Sequence, residues 1–289
     1  MNPITLLRVQ GSDVAVRLSG DRGQPALLLI HGFPSSSESF RHVIGPLSRD
    51  CFVIAPDLPG FGRSPPIEAA TFSRLADIVD ELLARLGVAS FHLYLHDHGA
   101  AVGLHLATRA PDRIRGLIVQ NANAHASGLG PQWAATRAYW KDPSPEREAE
   151  ATAHLSFKGT RDQYVAGAPD DLAARVDPQQ WERDWRTMNL PGRLATQRQL
   201  VLDYRHHVAR FADIADWLAR WQPPALMLWG RHDAFFALQE TLSWMKDLPR
   251  MEAHILDGPH FLLETHAAEC AALMRAFIER VETRHRPPP

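Results

Sequence analysis

The segment FHLYLHDHGAAVG, from Phe91 to Gly103, carries the residues best placed to do chemistry. An apolar run ends there in the polar triplet His96, Asp97 and His98, and Gly99, Ala100, Ala101 and Gly103 then open a helix. This is the shape of a nucleophile elbow, in which a reactive group projects from a tight strand-to-helix turn and small residues let the helix sit close to the sheet. The helix start also offers backbone N–H groups that have no partner inside the helix. Asp97 stands where the nucleophile would be, and no GxSxG motif occurs in the chain. A carboxylate with an ordinary pKa of about 4 is already ionised at neutral pH, so its attack needs no base. Attack on an sp3 carbon gives an alkyl ester on Asp97, which water must then hydrolyse. Attack on a carbonyl would give a reactive anhydride, so ordinary ester hydrolysis falls in rank.

Such a turn must be held by a sheet. Short apolar runs recur at Ala26 to Ile30, Cys51 to Ala55, Phe91 to Leu95, Gly116 to Gln120, Ala225 to Gly230 and Ala253 to Leu256, as buried parallel strands require. Leu75, Ile78, Val79, Leu82 and Leu86 form an apolar helical stripe that stops at Gly87, and Cys270, Leu273, Met274, Phe277, Ile278 and Val281 form another. Strands alternating with helices predict an α/β fold with a mostly parallel central sheet flanked by helices. The alternation stops between about Ala124 and Asp213, where no strand-like run occurs. This predicts an inserted helical cap over residues 124–213, on a core made of residues 1–123 and 214–289. The cap holds Trp133, Trp140, Trp181 and Trp185, half of the chain's eight tryptophans, which suits packing of cap on core.

Composition sets outer limits. A net charge of −2 spread over interleaved acids and bases gives no field to gather phosphates, which argues against nucleic acid as a partner. No stretch approaches the length of a membrane span, and the N-terminus lacks the pattern of a leader. The two cysteines, Cys51 and Cys270, form neither a disulfide framework nor a metal knuckle, so a reduced, cytoplasmic setting is expected. The histidines lack paired metalloenzyme spacing and no cofactor motif is present, so neither metal nor cofactor is expected.

With these residues in place, the chain resembles the α/β-hydrolase superfamily over essentially its whole length, and within it the epoxide hydrolase and haloalkane dehalogenase branch, whose elbow carries Asp. HGFP, from His31 to Pro34, is similar to the family's oxyanion-hole loop, and PDLPGFGRS, from Pro56 to Ser64, to the loop that follows. The resemblance implies that Asp233, just beyond a strand in LMLWGRHDAFF, orients the catalytic histidine, and that His260 in DGPHFLLE is that histidine. It also implies that backbone N–H groups of Phe33 and His98 form the oxyanion hole. The family usually has Gly two residues before the nucleophile, where this chain has Leu95, a side chain that crowds a tight turn.

The substrate class turns on the leaving group. An opening epoxide leaves an alkoxide that needs an acid, whereas a halide needs only N–H donors or a positive rim. Epoxide hydrolases of this family use two cap tyrosines, the second commonly followed by Arg. Tyr139 and Tyr204, the latter followed by Arg205, resemble that pair, with Tyr164 in reserve. Haloalkane dehalogenases typically carry Trp after the nucleophile and often Asn in the HGxP loop, where this chain has His98 and Phe33. Fluoroacetate dehalogenases place arginines just past the nucleophile, and none occurs here before Arg109. Asn121 and Asn123 could donate to a leaving group or simply shape a turn. The expectation is an epoxide hydrolase acting on a small apolar organic substrate lined by Trp140 and Phe261, in a chain that could form a homodimer. A dehalogenase is the alternative, and a non-catalytic ligand-binding protein of the same fold is a third reading.

Overall fold

The apolar runs do pair into one sheet. In the computed structural model, which describes residues 4–285, the strands are β1 (Ile4–Val9), β2 (Ser12–Ser19), β3 (Ala26–Ile30), β4 (Phe52–Pro56), β5 (Phe91–His96), β6 (Ile114–Gln120), β7 (Ala225–Gly230) and β8 (Glu252–Leu256). Their spatial order is β1-β2-β4-β3-β5-β6-β7-β8. All neighbours from β4 to β8 run parallel, whereas β1 pairs with β2, and β2 with β4, antiparallel. The β1–β2 hairpin is not among the runs read from the sequence. β1 is a half-exposed edge strand, and its tight turn uses Gln10 and Gly11, both at positive φ.

Helices cover both faces: α1 (Arg41–Leu47), α2 (Phe72–Arg85), α3 (His98–Arg109), α4 (Ala134–Lys141), α5 (Pro145–Ala151), α6 (Phe157–Val165), α7 (Asp170–Ala173), α8 (Gln179–Met188), α9 (Arg193–Ala209), α10 (Phe211–Trp221), α11 (Glu240–Asp247) and α12 (Leu263–His285). The period-2 alternation of β3 sorts its side chains into two cores. Leu28 and Ile30 join α2, α3, α10 and α11 on one face, while Leu27 and Leu29 join α1 and α12 on the other. Among the described residues, no helix is long and apolar enough to cross a membrane.

Between β6 and β7 the chain is entirely helical apart from its loops, running from α4 through α10. The expected cap boundary at residues 213–214 falls inside α10. That helix buries Ile214, Trp217 and Leu218 in the core shared with α2 and α3, so it belongs with the sheet. The longest inserted helix, α9, is pinned to the core at several points. Gln199 accepts the Ala70 N–H at 2.9 Å, and Asp203 accepts the Phe72 N–H at 2.8 Å, placing an acid on the first turn of α2.

The elbow after β5 is tightly walled. A β-carbon on Gly99 would come within 2.4 Å of the Ile30 carbonyl oxygen, and one on Gly32 within 2.4 Å of the Asp97 β-carbon. Leu95 is accommodated by a vacancy in the helix beyond it, because a β-carbon on Gly103 would lie 2.3 Å from Leu95 Cδ2. The two glycines therefore answer to different walls, one backbone and one side chain. Gly99→Ala is expected to cost at least about 1–3 kcal/mol of stability with no relief from a partner change. Leu95→Ala is itself destabilising, since that side chain is fully buried, but in its presence Gly103→Ala should lose most of its own cost. Urea denaturation of the three single variants and of each glycine change combined with Leu95→Ala checks this, and equal coupling of Leu95→Ala to both glycine changes would contradict it.

Candidate active site

β5 delivers Asp97 to the carboxyl edge of the sheet in an unusual conformation, with φ 49° and ψ −126°. A non-glycine residue held there costs about 1–3 kcal/mol, which the surrounding packing must offset. The turn aims the carboxylate away from the strand and into the HGFP loop, where Oδ1 accepts the Phe33 N–H at 2.6 Å, and the His98 backbone N–H also acts on the carboxylate. Burial alone would raise the Asp97 carboxyl. The imidazoles of His98, His260 and His96 and the His98 N–H overturn that and hold it below its ordinary value, so it is ionised at neutral pH.

The HGFP loop is itself braced. His31 accepts the Leu58 N–H on Nε2 at 3.0 Å, which leaves its proton on Nδ1 to donate to the Gly32 carbonyl at 3.0 Å. Asp57 accepts the N–H groups of Ser37 and Arg63, each at 2.8 Å, and Gly62 gives it room. These bonds give the PDLPGFGRS motif its structural meaning: it ties the two loops together beside the nucleophile.

The loop after β8 brings His260 to the same edge. Its Nδ1 lies 2.8 Å from Asp233 Oδ2, and its Nε2 lies 3.9 Å from Asp97 Oδ2. Burial would lower this imidazole, and the carboxylates of Asp233 and Asp97 reverse the sign and raise it. Asp233 in turn accepts the N–H groups of Phe235 at 2.7 Å and Phe236 at 3.0 Å. Asn121 completes this support. Its amide donates to Asp233 Oδ2 at 2.8 Å and to the Gly230 carbonyl at 3.0 Å, while its oxygen accepts the Gly230 N–H at 2.9 Å. The sequence left Asn121 between leaving-group donor and turn residue; it orients the acid and, at φ 37°, also shapes the turn after β6. His96 lies behind His260, with ring centroids 4.7 Å apart, and burial together with His260 pushes its imidazole down to about 3.

A cavity of about 200 Å³ opens over Asp97, walled by Phe33, Trp133, Val201, Ala234, Phe235 and Phe236, with His98, His154, Gln163 and Tyr204 among its polar groups. Tyr204 reaches it from α9, stacked on Trp133 with centroids 5.0 Å apart. Burial and the Asp97 charge keep its phenol well above its ordinary pKa, hence protonated. Its hydroxyl lies beside the Asn123 side chain but makes no hydrogen bond of ordinary geometry with it.

Three sequence expectations are corrected. Tyr139 does not line the cavity; it packs with Ala151 and Val201 and turns its hydroxyl to Glu148 of α5. Trp140 lies behind Tyr204, stacked on it at 6.0 Å, and donates its indole N–H to the Val201 carbonyl at 2.8 Å. Phe261 also lies outside the cavity lining, packed between His260 and Tyr164. The reserve tyrosine, Tyr164, gives its hydroxyl to Asp184. Trp133 and His154, which the sequence did not single out as site residues, are among the cap groups that line the cavity with Tyr204. Burial, with His98, pushes the His154 imidazole down to about 4. Among the described residues, no group of three His, Cys, Asp or Glu side chains is placed to hold a metal ion.

The chain belongs to the α/β hydrolase fold family, which matches residues 25–267, and within it to the haloalkane dehalogenase-like branch. It is 33% identical over 274 residues to the uncharacterized hydrolase YNR064C of Saccharomyces cerevisiae, covering 90% of this chain and 91% of that one. It is 38% identical over 265 residues to a haloalkane dehalogenase of Mycolicibacterium paratuberculosis, covering 86% and 81%. The solved structure of the epoxide hydrolase CorEH superposes with a TM-score of 0.78 at 20% identity, covering 96% of this chain and 99% of that one, a likeness of fold.

The support for Asp233 suggests a direct check. Asn121→Ala removes one donor to Asp233 and both links to Gly230, so turnover is expected to fall by at least about tenfold, the lower range for groups that orient a catalytic residue. Steady-state rates on any substrate found for the enzyme measure this, and an unchanged rate would return Asn121 to a turn residue.

Proposed function

We propose that this hydrolase works through an alkyl ester on Asp97 and that its substrates are small apolar epoxides, opened to vicinal diols. The observation that carries the reading is the division of labour within one carboxylate: Oδ1 is held by the Phe33 N–H, and Oδ2 faces His260. In the first half-reaction Oδ2 attacks a ring carbon, the carbon–oxygen bond breaks, and the electron pair goes to the ring oxygen. That oxygen takes the proton of the Tyr204 hydroxyl, the phenol lining the cavity above Asp97. In the second, water attacks the ester carbonyl carbon and gives a proton to His260 Nε2. The oxyanion forms on Oδ1, which the Phe33 N–H already holds, with the His98 N–H as the second donor of the proposed hole. Its collapse expels the diol oxygen, which takes the proton held on His260, and the regenerated Asp97 carboxylic acid gives up the remaining water proton to restore the Tyr204 phenol.

Formation of the ester removes the negative charge of Asp97, one of the two charges that raise His260. The imidazole's pKa therefore drops just when it must act as a base. Two measurements test this. NMR titration gives the His260 pKa of the resting enzyme, expected above the ordinary value of about 6.5. The acid limb of single-turnover ester hydrolysis, where the rate falls as His260 becomes protonated, is expected at lower pH than that titration. Coincident values would remove the charge-relief argument.

Substrate class is decided by a panel of epoxides and alkyl halides tested on His260→Gln. Epoxides should add the mass of the whole substrate to the protein, and alkyl halides should add none. Halide release with an alkyl adduct would move the assignment to dehalogenation, the activity named for the relative at 38% identity. Among the described residues one tyrosine lines the cavity, so Tyr204→Phe should slow adduct formation from epoxides by about a hundredfold, the low end of general acid catalysis. An unchanged rate would make Tyr204 a wall residue.

A further inference from the structure

The insertion touches the oxyanion-hole loop through a buried polar contact that the reaction above does not use. Asp184 on α8 is buried, yet its carboxylate accepts the Tyr164 hydroxyl of α6 at 2.5 Å and lies against the hydroxyl of Ser35. Ser35 follows HGFP directly and is itself buried; its N–H closes the loop by donating to the Gly32 carbonyl at 3.1 Å. It stands two residues from Phe33, whose N–H holds Asp97. On the other side, the Tyr164 ring stacks on Phe261 with centroids 4.1 Å apart, and Phe261 packs against His260. One carboxylate thus joins two inserted helices to the loop before the nucleophile and, through two stacked rings, to the base.

A buried carboxylate is costly unless its acceptors are filled. Glu264 adds a like charge and Arg183 only a partial counterweight, so burial leaves Asp184 raised to about 7. Arg41, a half-buried base that acts on Tyr164, is engaged by Glu264. Asp184 therefore accepts the Tyr164 hydroxyl, with the Ser35 hydroxyl beside both, and is in no salt bridge among the described residues. Its removal would leave the Tyr164 hydroxyl and Ser35 without their common acceptor.

We propose that Asp184 is a positioning residue that anchors the oxyanion-hole loop to the helical insertion and so holds the Phe33 N–H on Asp97. The anchoring stands on the contacts alone; its catalytic consequence rests on the ester mechanism proposed above. In that mechanism full charge develops on Oδ1 only during ester hydrolysis, so a displaced Phe33 N–H penalises the second half-reaction and largely spares the first.

The test uses the full chain with Asp184→Leu, Asp184→Asn and Ser35→Ala, read first by amide hydrogen exchange. The segment from His31 to Phe40 is expected to exchange at least about fivefold faster in Asp184→Leu, while segments from β6 and β7 keep the wild-type rate. Should the Leu variant fail to fold, Asp184→Asn and Ser35→Ala carry the same measurement. Unchanged exchange in that segment in a folded variant overturns the anchoring, whatever the chemistry. Kinetics are read second, with an epoxide that labels His260→Gln. Slower hydrolysis should lower kcat and KM together by about tenfold and leave kcat/KM within about twofold, because ester accumulates. A partly misfolded preparation would lower kcat and kcat/KM at constant KM, and that pattern overturns the positioning role. If no substrate labels His260→Gln, the ester mechanism fails, and the exchange result still decides whether Asp184 anchors the loop.

Discussion

The contact between the Phe33 N–H and the Asp97 carboxylate is the constraint on which the rest of this molecule depends. An ionised carboxylate buried at a strained turn is unfavourable on two counts, desolvation and backbone conformation. Both are offset only if the turn points the group at prepared donors. Here the donors are backbone N–H groups, whose positions are set by loops rather than by rotamers. Much of the surrounding architecture can be understood as keeping those loops in place: His31 linking HGFP to Leu58, Asp57 gathering the N–H groups of Ser37 and Arg63, and Gly99 letting α3 lie against β3.

A second tier supports the base in the same way. His260 is fixed by Asp233, Asp233 by two N–H groups and Asn121, and Asn121 by both polar groups of Gly230. Each step ends on backbone at the carboxyl end of β7, so the orientation of the base follows from strand position. The imidazole never meets Asp97 in a direct hydrogen bond, since 3.9 Å separates them. On the mechanism proposed above, that spacing leaves the carboxylate free to act as the nucleophile.

The parts of the site legible in the sequence are those that local geometry decides. A nucleophile elbow is a strand, a polar triplet and a run of small residues, all within one stretch of chain, and Asp233 and His260 lie directly after strands. The substitution of Leu95 for the usual glycine looked unfavourable in isolation because its complement, Gly103, is a turn of helix away and on the far side of the contact. The hairpin β1–β2 was missed because a half-exposed edge strand need not carry an apolar run. The insertion was legible as helical but not in its facing. Tyr139 and Tyr204 are both aromatic, both in helices and both buried, yet one turns its hydroxyl to Glu148 and the other lines the cavity. What separates them is how α4 and α9 dock on the core, and that docking depends on contacts such as Asp203 with Phe72, far apart in the chain.

The same dependence explains why the carboxylate does not determine its own substrate. Asp97, its hole and its base would serve equally for any sp3 carbon bearing a leaving group. On the proposed mechanism, selection falls to what the insertion hangs over them, here one phenol stacked between indoles and a histidine that burial keeps neutral, facing a wall of phenylalanines from the core loops. A protonated phenol gains most from a leaving group that becomes strongly basic, as an opening epoxide oxygen does. A halide ion, being a very weak base, would draw only a hydrogen bond from it. On the proposed mechanism, chemical preference would be set by the docking of α9 on α2, the helix–helix contact that holds Tyr204 over Asp97.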